Sequence, residues 1–206
     1  MNDQVDVMPR RQPVQARSRE RVSKILSHAA KIFNDVGVDS TSMSAIARAS
    51  DMSLASLYRY FPNKAAIVKA IAEQQVERME EMLRERLREV EPENAAAVLI
   101  DLFYEFYRTE PAYAAIWSGV ESMPELRELD LKELYNNAKD LDARIAEFAP
   151  HVPAARRRAA SLLMPRSCGT ILRLAITLPK DEGDSLVAEL KAMVTAYLHH
   201  LVMEQS

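Results

Sequence analysis

Cysteine, glycine and long apolar runs are all scarce in this chain of 206 residues. The single cysteine, Cys168, excludes an internal disulfide and any zinc site that needs several cysteines. Only four glycines are present and β-branched runs are few, which favours helices over sheets and argues against a parallel-sheet enzyme. We therefore expect an all-α protein in which Cys168 is a small buried side chain rather than a redox group.

No apolar run approaches the ~18 residues that span a bilayer, and the first residues lack a hydrophobic signal segment. The sequence also lacks a nucleophile elbow, a phosphate-binding loop and a metal-ligand motif. Its four histidines are dispersed, and the adjacent pair His199 and His200 cannot share one face of a helix. We therefore expect a cytoplasmic protein without membrane contact that is not an enzyme and that holds no metal or cofactor.

The small net charge of −3 conceals a strong asymmetry along the chain. Residues 9–64 contain ten Lys and Arg against four Asp and Glu, a net charge of +6, whereas residues 65–206 carry a net charge of −7. Phosphate attracts the first segment and repels the second. The basic segment is therefore the candidate for nucleic-acid binding, and the acidic remainder should serve another purpose.

Residues 42–64 have the pattern of two short helices joined by a tight turn. Met43, Ile46, Ala47 and Ala49 follow helical spacing, and the turn is predicted at residues 50–52. Ser53 can then cap a second helix, whose apolar or aromatic residues are Leu54, Leu57, Tyr58 and Phe61. Two such helices are typical of a helix-turn-helix that binds DNA in the major groove.

The sequence predicts three domains, of which the second and third are helical. Residues 1–17 form a basic arm, which either contacts DNA or is a passive tail. Residues 18–64 form the DNA-binding domain, whose first helix is capped by Ser18 and stopped by Gly37. Residues 65–206 form a second domain, starting with a long helix over about 64–89 and continuing with helices over 92–109, 112–122, 125–148, 153–178 and 184–204. Pro165 should kink or break the fourth of these five, so that it either shapes a pocket mouth or splits the helix in two.

The first 65 or so residues resemble the tetracycline-repressor (TetR) family of bacterial transcription factors. The features that carry the resemblance are Gln15-Ala16-Arg17-Ser18, Ile25-Leu26, Ala29-Ala30, Phe33, Gly37, Thr41-Ser42, Ile46-Ala47, Ser53, Leu57-Tyr58, Phe61 and Asn63-Lys64. The resemblance implies a homodimer on a palindromic double-stranded DNA operator, acting as a repressor that a small molecule releases. An activator, or a constitutive DNA-binding protein without an inducer, remains the alternative.

The family pattern also implies which side chains face the DNA. These are Ser42, Ser44, Arg48, Leu54, Ala55, Ser56, Tyr58, Arg59, Tyr60 and Lys64. Arg59 can donate two hydrogen bonds to guanine, whereas Lys64 and the tyrosines would contact phosphate. Arg48 is either a phosphate contact or a surface cation, and Tyr60 is either a phosphate contact or a packing residue. Asp51 and Ala55 stand where relatives often have glycine. Asp51 should therefore place some strain on the turn, and Ala55 can change which operator sequence the protein recognises.

The family binds its inducer and dimerises through the second domain. Aromatic and methionine side chains there are candidates for the ligand pocket and would suit an apolar or aromatic effector, namely Phe103, Tyr104, Tyr107, Tyr113, Trp117, Met123 and Met164. Packing in an ordinary helical core is the other interpretation of this group. The broad apolar side of the last helix, together with residues 171–175, predicts a two-fold four-helix interface between two copies of the chain.

Overall fold

The computed structural model describes residues 16–86 and 94–203, which form helices joined by short connections and contain no strand. The predicted all-α class is therefore confirmed. The helices are α1 Ala16–Val36, α2 Met43–Ala49, α3 Leu54–Tyr58, α4 Lys64–Arg86, α5 Ala95–Thr109, α6 Tyr113–Ser122, a 3₁₀ turn Pro124–Leu126, α7 Arg127–Phe148, α8 Ala154–Ala175 and α9 Lys180–Met203. Within those two described ranges, no helix is long and apolar enough to cross a membrane.

The helices group into two compact units. The first comprises the residues up to Arg78 together with Glu110–Asp130, and the second comprises Met79–Thr109 and the residues from Leu131 onward. Helix α6 therefore belongs to the same unit as the helix-turn-helix and packs against α1, although the sequence pattern placed it in the second domain. Most of the predicted basic arm, residues 1–15, lies outside the described residues, as do residues 87–93 at the predicted end of the long helix.

The core of the first unit holds the helix-turn-helix together. Phe33 of α1, Ile46 of α2, Leu57 of α3 and Ile67 of α4 are each fully buried. Helices α2 and α3 have only seven and five residues, too few to be stable alone in water. Burial of each large apolar side chain contributes about 1.5–3 kcal/mol, so packing rather than helix propensity fixes these two helices.

Three local predictions about helix ends need correction. Helix α1 includes Ala16 and Arg17, which are both good helix formers, so Ser18 lies within the helix and is not its cap. Helix α3 ends at Tyr58, so Phe61 lies beyond it, although that side chain is fully buried as expected. Helix α9 begins at Lys180 rather than at residue 184, because acidic side chains in the first turn favour a helix N-terminus.

Pro165 does not split its helix. Helix α8 continues through it, from Ala154 to Ala175. A proline inside a helix costs ~3 kcal/mol, and packing on both sides offsets that cost. Met164 is buried immediately before the proline, and Leu172 is buried two turns after it.

The second unit contains a close approach between α9 and the end of α8. A Cβ atom added to Gly183 would lie 2.5 Å from the backbone oxygen of Ala175 and 2.8 Å from the Tyr104 hydroxyl. That hydroxyl donates a hydrogen bond to Asp184 Oδ1 at 3.1 Å, and Lys180 pairs with the same carboxylate. The absence of a side chain at position 183 therefore allows α5, α8 and α9 to approach closely, and a Cβ atom there would force a neighbour to move.

Candidate nucleic-acid interface

Helix α3 has a short exposed face, and the helix is held in place by one buried side chain, that of Leu57. The Ser53 hydroxyl caps the helix: it accepts a hydrogen bond from the Ser56 backbone N–H at 3.2 Å and donates one to the Ser56 hydroxyl at 2.9 Å. Leu57 points into the core, which turns Leu54 and Tyr58 outward, and these are 39% and 40% exposed. The Ser56 O–H remains free to donate to a base or a phosphate.

The turn between α2 and α3 is centred on Asp51, as predicted. Asp51 has a φ of 54°, in the left-handed region that a non-glycine residue rarely adopts. The Met52 N–H closes the turn on the Ala47 oxygen at 3.0 Å. Lys24 of α1 donates to the Asp51 carboxylate at 3.0 Å, and this contact lowers the pKa of Asp51 below its usual 3.8. An ion pair from α1 thus holds the strained turn.

The start of α2 offers a second exposed edge. The Ser42 hydroxyl accepts from the Ala45 N–H at 3.2 Å and lies 3.2 Å from the Ser44 hydroxyl. Arg48 is exposed near the end of this helix, and Arg59 is exposed just after α3. Within residues 16–86 and 94–203 neither guanidinium makes an ion pair. Both are therefore available to an anionic partner.

Lys64 has a role that the sequence pattern did not indicate. Its ammonium donates to three backbone oxygens in the loop between α1 and α2, those of Val38 at 2.6 Å, Thr41 at 3.0 Å and Asp39 at 3.1 Å. An ammonium has three donors, so all three are used by the loop. Lys64 therefore fixes the loop that leads into α2. These contacts connect positions more than twenty residues apart, which periodicity along the chain does not report.

The predicted DNA-facing residues all lie on the helix-turn-helix, and burial divides them. The exposed ones are Ser42, Ser44, Arg48, Leu54, Ala55, Tyr58 and Arg59, and the half-buried ones are Ser56, Tyr60 and Lys64. The exposed set combines hydroxyl groups, two guanidinium groups that form no ion pair with the described residues, and the apolar side chains of Leu54 and Ala55. That chemistry suits both phosphate contact and contact with base edges.

The predicted effector residues divide between the two compact units. Tyr113 and Trp117 of α6 are buried in the first unit with ring centroids 5.9 Å apart, and half-buried Met123 follows them there. The second unit contains the others, in which Phe103 lies 6.2 Å from Tyr107 between ring centroids, and Tyr104 and Met164 are buried. Neither unit alone assembles the whole predicted set.

Possible metal ligands and the single cysteine were the remaining candidates for chemistry in the described ranges. Residues 16–86 and 94–203 contain no group of three or more His, Cys, Asp or Glu side chains placed to hold a metal ion. Burial raises the pKa of Cys168 to about 11, so its thiol is protonated near neutral pH. Cys168 is half-buried, less than the fully buried position that the sequence pattern predicts.

Comparison with protein families matches two parts of the chain. Residues 25–71 match the model described as bacterial regulatory proteins of the tetR family. Residues 90–202, more than half of the chain, match the model described as the C-terminal domain of tetracyclin repressor-like proteins. No curated protein matches significantly.

Solved structures with the same fold cover most of the chain. A TetR-family transcriptional regulator from Streptomyces coelicolor is 25% identical, with a TM-score of 0.67 over 91% of this chain and 99% of its own. NalD, the secondary repressor of the MexAB-OprM multidrug efflux pump in Pseudomonas aeruginosa, is 18% identical, with a TM-score of 0.64 over 93% and 100%. AibR, solved with isovaleryl coenzyme A and operator DNA, is 17% identical, with a TM-score of 0.63 over 85% and 98%.

Proposed function

This chain belongs to the TetR family of bacterial regulatory proteins, and from that premise we propose that it is a repressor whose homodimer binds a palindromic operator. A small apolar or aromatic effector binds the protein and releases it from DNA. Membership of the family makes the chain a DNA-binding transcriptional regulator. The palindromic operator, the homodimer and the release by an effector are what we propose in addition.

The exposed face of α3 is the observation that carries the proposal. Arg59 follows the last turn of α3, exposed and without an ion pair in the described residues. A guanidinium in the major groove donates two hydrogen bonds to the O6 and N7 atoms of guanine, worth ~1–3 kcal/mol of discrimination against other bases. Ala55 and Ser56 would contact neighbouring base edges, and Tyr58 would contact the phosphate backbone.

The start of α2 contributes the remaining contacts in this proposal. Ser42, Ser44 and Arg48 would reach phosphate oxygens, and Tyr60 would do so beside them. Lys64, whose donors are used by the loop before α2, acts by holding that loop in place while adding its positive charge to the surface. Phosphate contacts of this kind fix the register without specifying the sequence.

Dimerisation is proposed through α8 and α9. Leu163 and Leu174 on α8 and Met193 on α9 are each more than half exposed. Large apolar side chains left in water on two neighbouring helices are typical of a surface that a partner covers. A two-fold copy of the same pair of helices would bury them, and the dimer would present two α3 helices to successive major grooves.

Effector release follows from a difference in affinity between two states. Helix α4 runs without interruption from the end of the helix-turn-helix to Arg86. A movement of α4 would therefore move the helix-turn-helix, residues 42–64, which we call the reading head. An effector that binds the non-operator state more tightly shifts the population, and a nearly complete shift needs several kcal/mol of differential affinity. The effector pocket would draw on Phe103, Tyr104, Tyr107 and Met164 of the second unit, and AibR, with its acyl coenzyme A, supports a ligand with an apolar part.

Replacement of Arg59 by Ala tests the role of α3. The Arg59→Ala variant should lose about tenfold or more in affinity for the preferred operator, with little loss on unrelated duplexes, because a base contact is removed. Fluorescence anisotropy on labelled duplexes measures both. Arg144→Ala, at an exposed position of α7, is the matched control and should bind as the unaltered protein does. Equal binding by Arg59→Ala and the control would contradict the proposal that Arg59 contacts a base of the operator.

A further inference from the structure

A cleft in the first unit is separate from every side chain assigned above. Its volume is about 580 Å³, within the ~300–1,000 Å³ range of small-molecule sites. One wall is α1, another is α4, and the third is the connection from Glu110 to Ala112 before α6. None of the seven predicted effector residues lines it.

The cleft combines an apolar floor with a polar rim. Leu26, Ile71 and Ala112 line it and are all buried. Gln74 and Lys31 add an amide and an ammonium. A ligand with an apolar body and a polar end would match both parts.

The charges on the rim leave one cation without a partner. Arg78 Nε lies 3.2 Å from Glu110 Oε2, so these two lining residues neutralise each other. Lys31 is exposed at the rim and forms no ion pair within the described parts of the chain. The rim therefore has a net positive charge at Lys31, and an anionic group is the complement that it lacks.

From this geometry we propose that the cleft binds small monocarboxylates with an apolar body, such as short arylalkanoates and medium-chain fatty acids. The carboxylate pairs with the Lys31 ammonium and accepts from the Gln74 amide, and the hydrocarbon part packs on Leu26 and Ile71. A charge-assisted hydrogen bond of this kind is stronger than a neutral one.

Such a ligand would touch the elements that hold the helix-turn-helix. The wall of α1 that lines the cleft includes His28, one turn after Lys24, whose ammonium holds the Asp51 turn. The opposite wall is α4, which begins at Lys64. An occupant that alters the spacing of α1 and α4 therefore acts on the reading head, and this effect on DNA, unlike the binding step, rests on the proposed function.

The test measures binding of 4-phenylbutyrate and octanoate to the full-length protein by calorimetry, with 4-phenylbutan-1-ol as the uncharged analogue. Both carboxylates should bind with one site per chain, and the alcohol should bind about tenfold more weakly. Lys31→Met keeps the aliphatic stem and should weaken carboxylate binding by about the same factor. Gln74→Trp, which fills the cleft and keeps Lys31, should abolish it. Lys132→Met, at an exposed position of α7, is the control and should change nothing.

Each outcome decides the binding proposal. Absence of saturable binding by both carboxylates overturns it, and so does binding that Lys31→Met and Gln74→Trp leave unchanged, since the ligand then lies elsewhere. Thermal unfolding of the variants checks that they remain folded. A separate anisotropy measurement on operator DNA tests the regulatory effect: a protein that binds carboxylates but no duplex retains the cleft and loses the proposed function.

Discussion

Asp51 combines an unfavourable backbone conformation with a favourable ion pair. A left-handed non-glycine residue costs roughly 1–2 kcal/mol, and aspartate tolerates the conformation better than most residues. The Lys24 contact forms only when the turn is folded, so it stabilises the strained turn. The two effects act on one residue, and their balance depends on the charge of the carboxylate.

That charge predicts a pH dependence of stability. The pKa of Asp51 is lowered in the folded protein by the hydrogen bond and the charge of Lys24. The contribution of the pair is therefore complete above the ordinary value of 3.8 and is lost as the pH falls through the lower folded pKa. Lys24→Met should reduce the free energy of unfolding at neutral pH and should cease to do so in acid, as urea denaturation at both pH values would show.

Lys132→Met is the control for this prediction, because Lys132 is an exposed lysine of α7 and should show no effect at either pH. A deficit in Lys24→Met that persists unchanged well below pH 3.8 would mean that Lys24 acts through packing of its stem.

Single residues also mark the limit of what the sequence could reveal. The Ser53 cap, the Asp51 turn and the Gly37 stop were all predictable, since each depends on neighbours within a few positions. The Lys24 contact with Asp51 and the Lys64 clamp on the loop were not, because they join residues 23 to 27 positions apart. Helical periodicity carries no information on such pairs.

At the level of elements, two glycines mark where helices approach other backbone or side chains closely. Gly183 of α9 faces the backbone oxygen of Ala175, which cannot move without moving α8. Gly119 of α6 faces the side chain of Val38, and an added Cβ would lie 3.1 Å from its Cγ2. Backbone is the harder obstacle, so the two positions should differ in their tolerance of alanine.

Gly183→Ala should therefore lower the free energy of unfolding by about 1–2 kcal/mol, since overpacking costs about 1–3 kcal/mol and alanine recovers up to about 1 kcal/mol of helix propensity. Gly119→Ala should stay within about 1 kcal/mol of the unaltered protein, because the Val38 side chain can shift and the same propensity is gained. Chemical denaturation of both variants measures the difference. A larger loss in Gly119→Ala than in Gly183→Ala would contradict this account of the two contacts.

Elements were predicted better in kind than in extent. The order of helices follows from apolar periodicity and from the prolines between them. The observed helix ends differ from the predicted ones because local signals compete. Ser18 is a good N-cap residue, yet α1 also includes the helix formers Ala16 and Arg17 before it. Pro165 looked like a break, yet packing on both sides keeps α8 continuous.

The whole molecule is proposed to act as a dimer. Light scattering of the full-length protein at micromolar concentration should give twice the chain mass of 23.3 kDa. Met193→Glu should shift the population toward the monomer, because it would bury an unpaired charge in the interface. Phe148→Glu, at a similarly exposed residue of α7, should leave the dimer intact. A monomeric mass for the unaltered protein would refute the two-fold arrangement and with it the spacing of the reading heads.

For the whole molecule, the sequence could identify the family but not the effector. The helix-turn-helix residues carry the resemblance because the geometry of the major groove constrains which residues can occupy these positions. The predicted effector residues do not identify a ligand, since buried aromatic side chains serve packing and ligand binding equally well. The structure accordingly places Tyr113 and Trp117 with α6 in one unit and Phe103 and Tyr107 in the other.

Selection of bound sites from a randomised duplex library tests the central claim most directly. The full-length protein should enrich a palindrome whose half-sites are centred one helical turn apart, about 34–36 Å, or a multiple of that distance, with a guanine in each half-site that the Arg59→Ala variant no longer selects. Enrichment of no sequence, or of the same palindrome with undiminished preference by Arg59→Ala, would contradict the claim that the exposed face of α3 reads the operator.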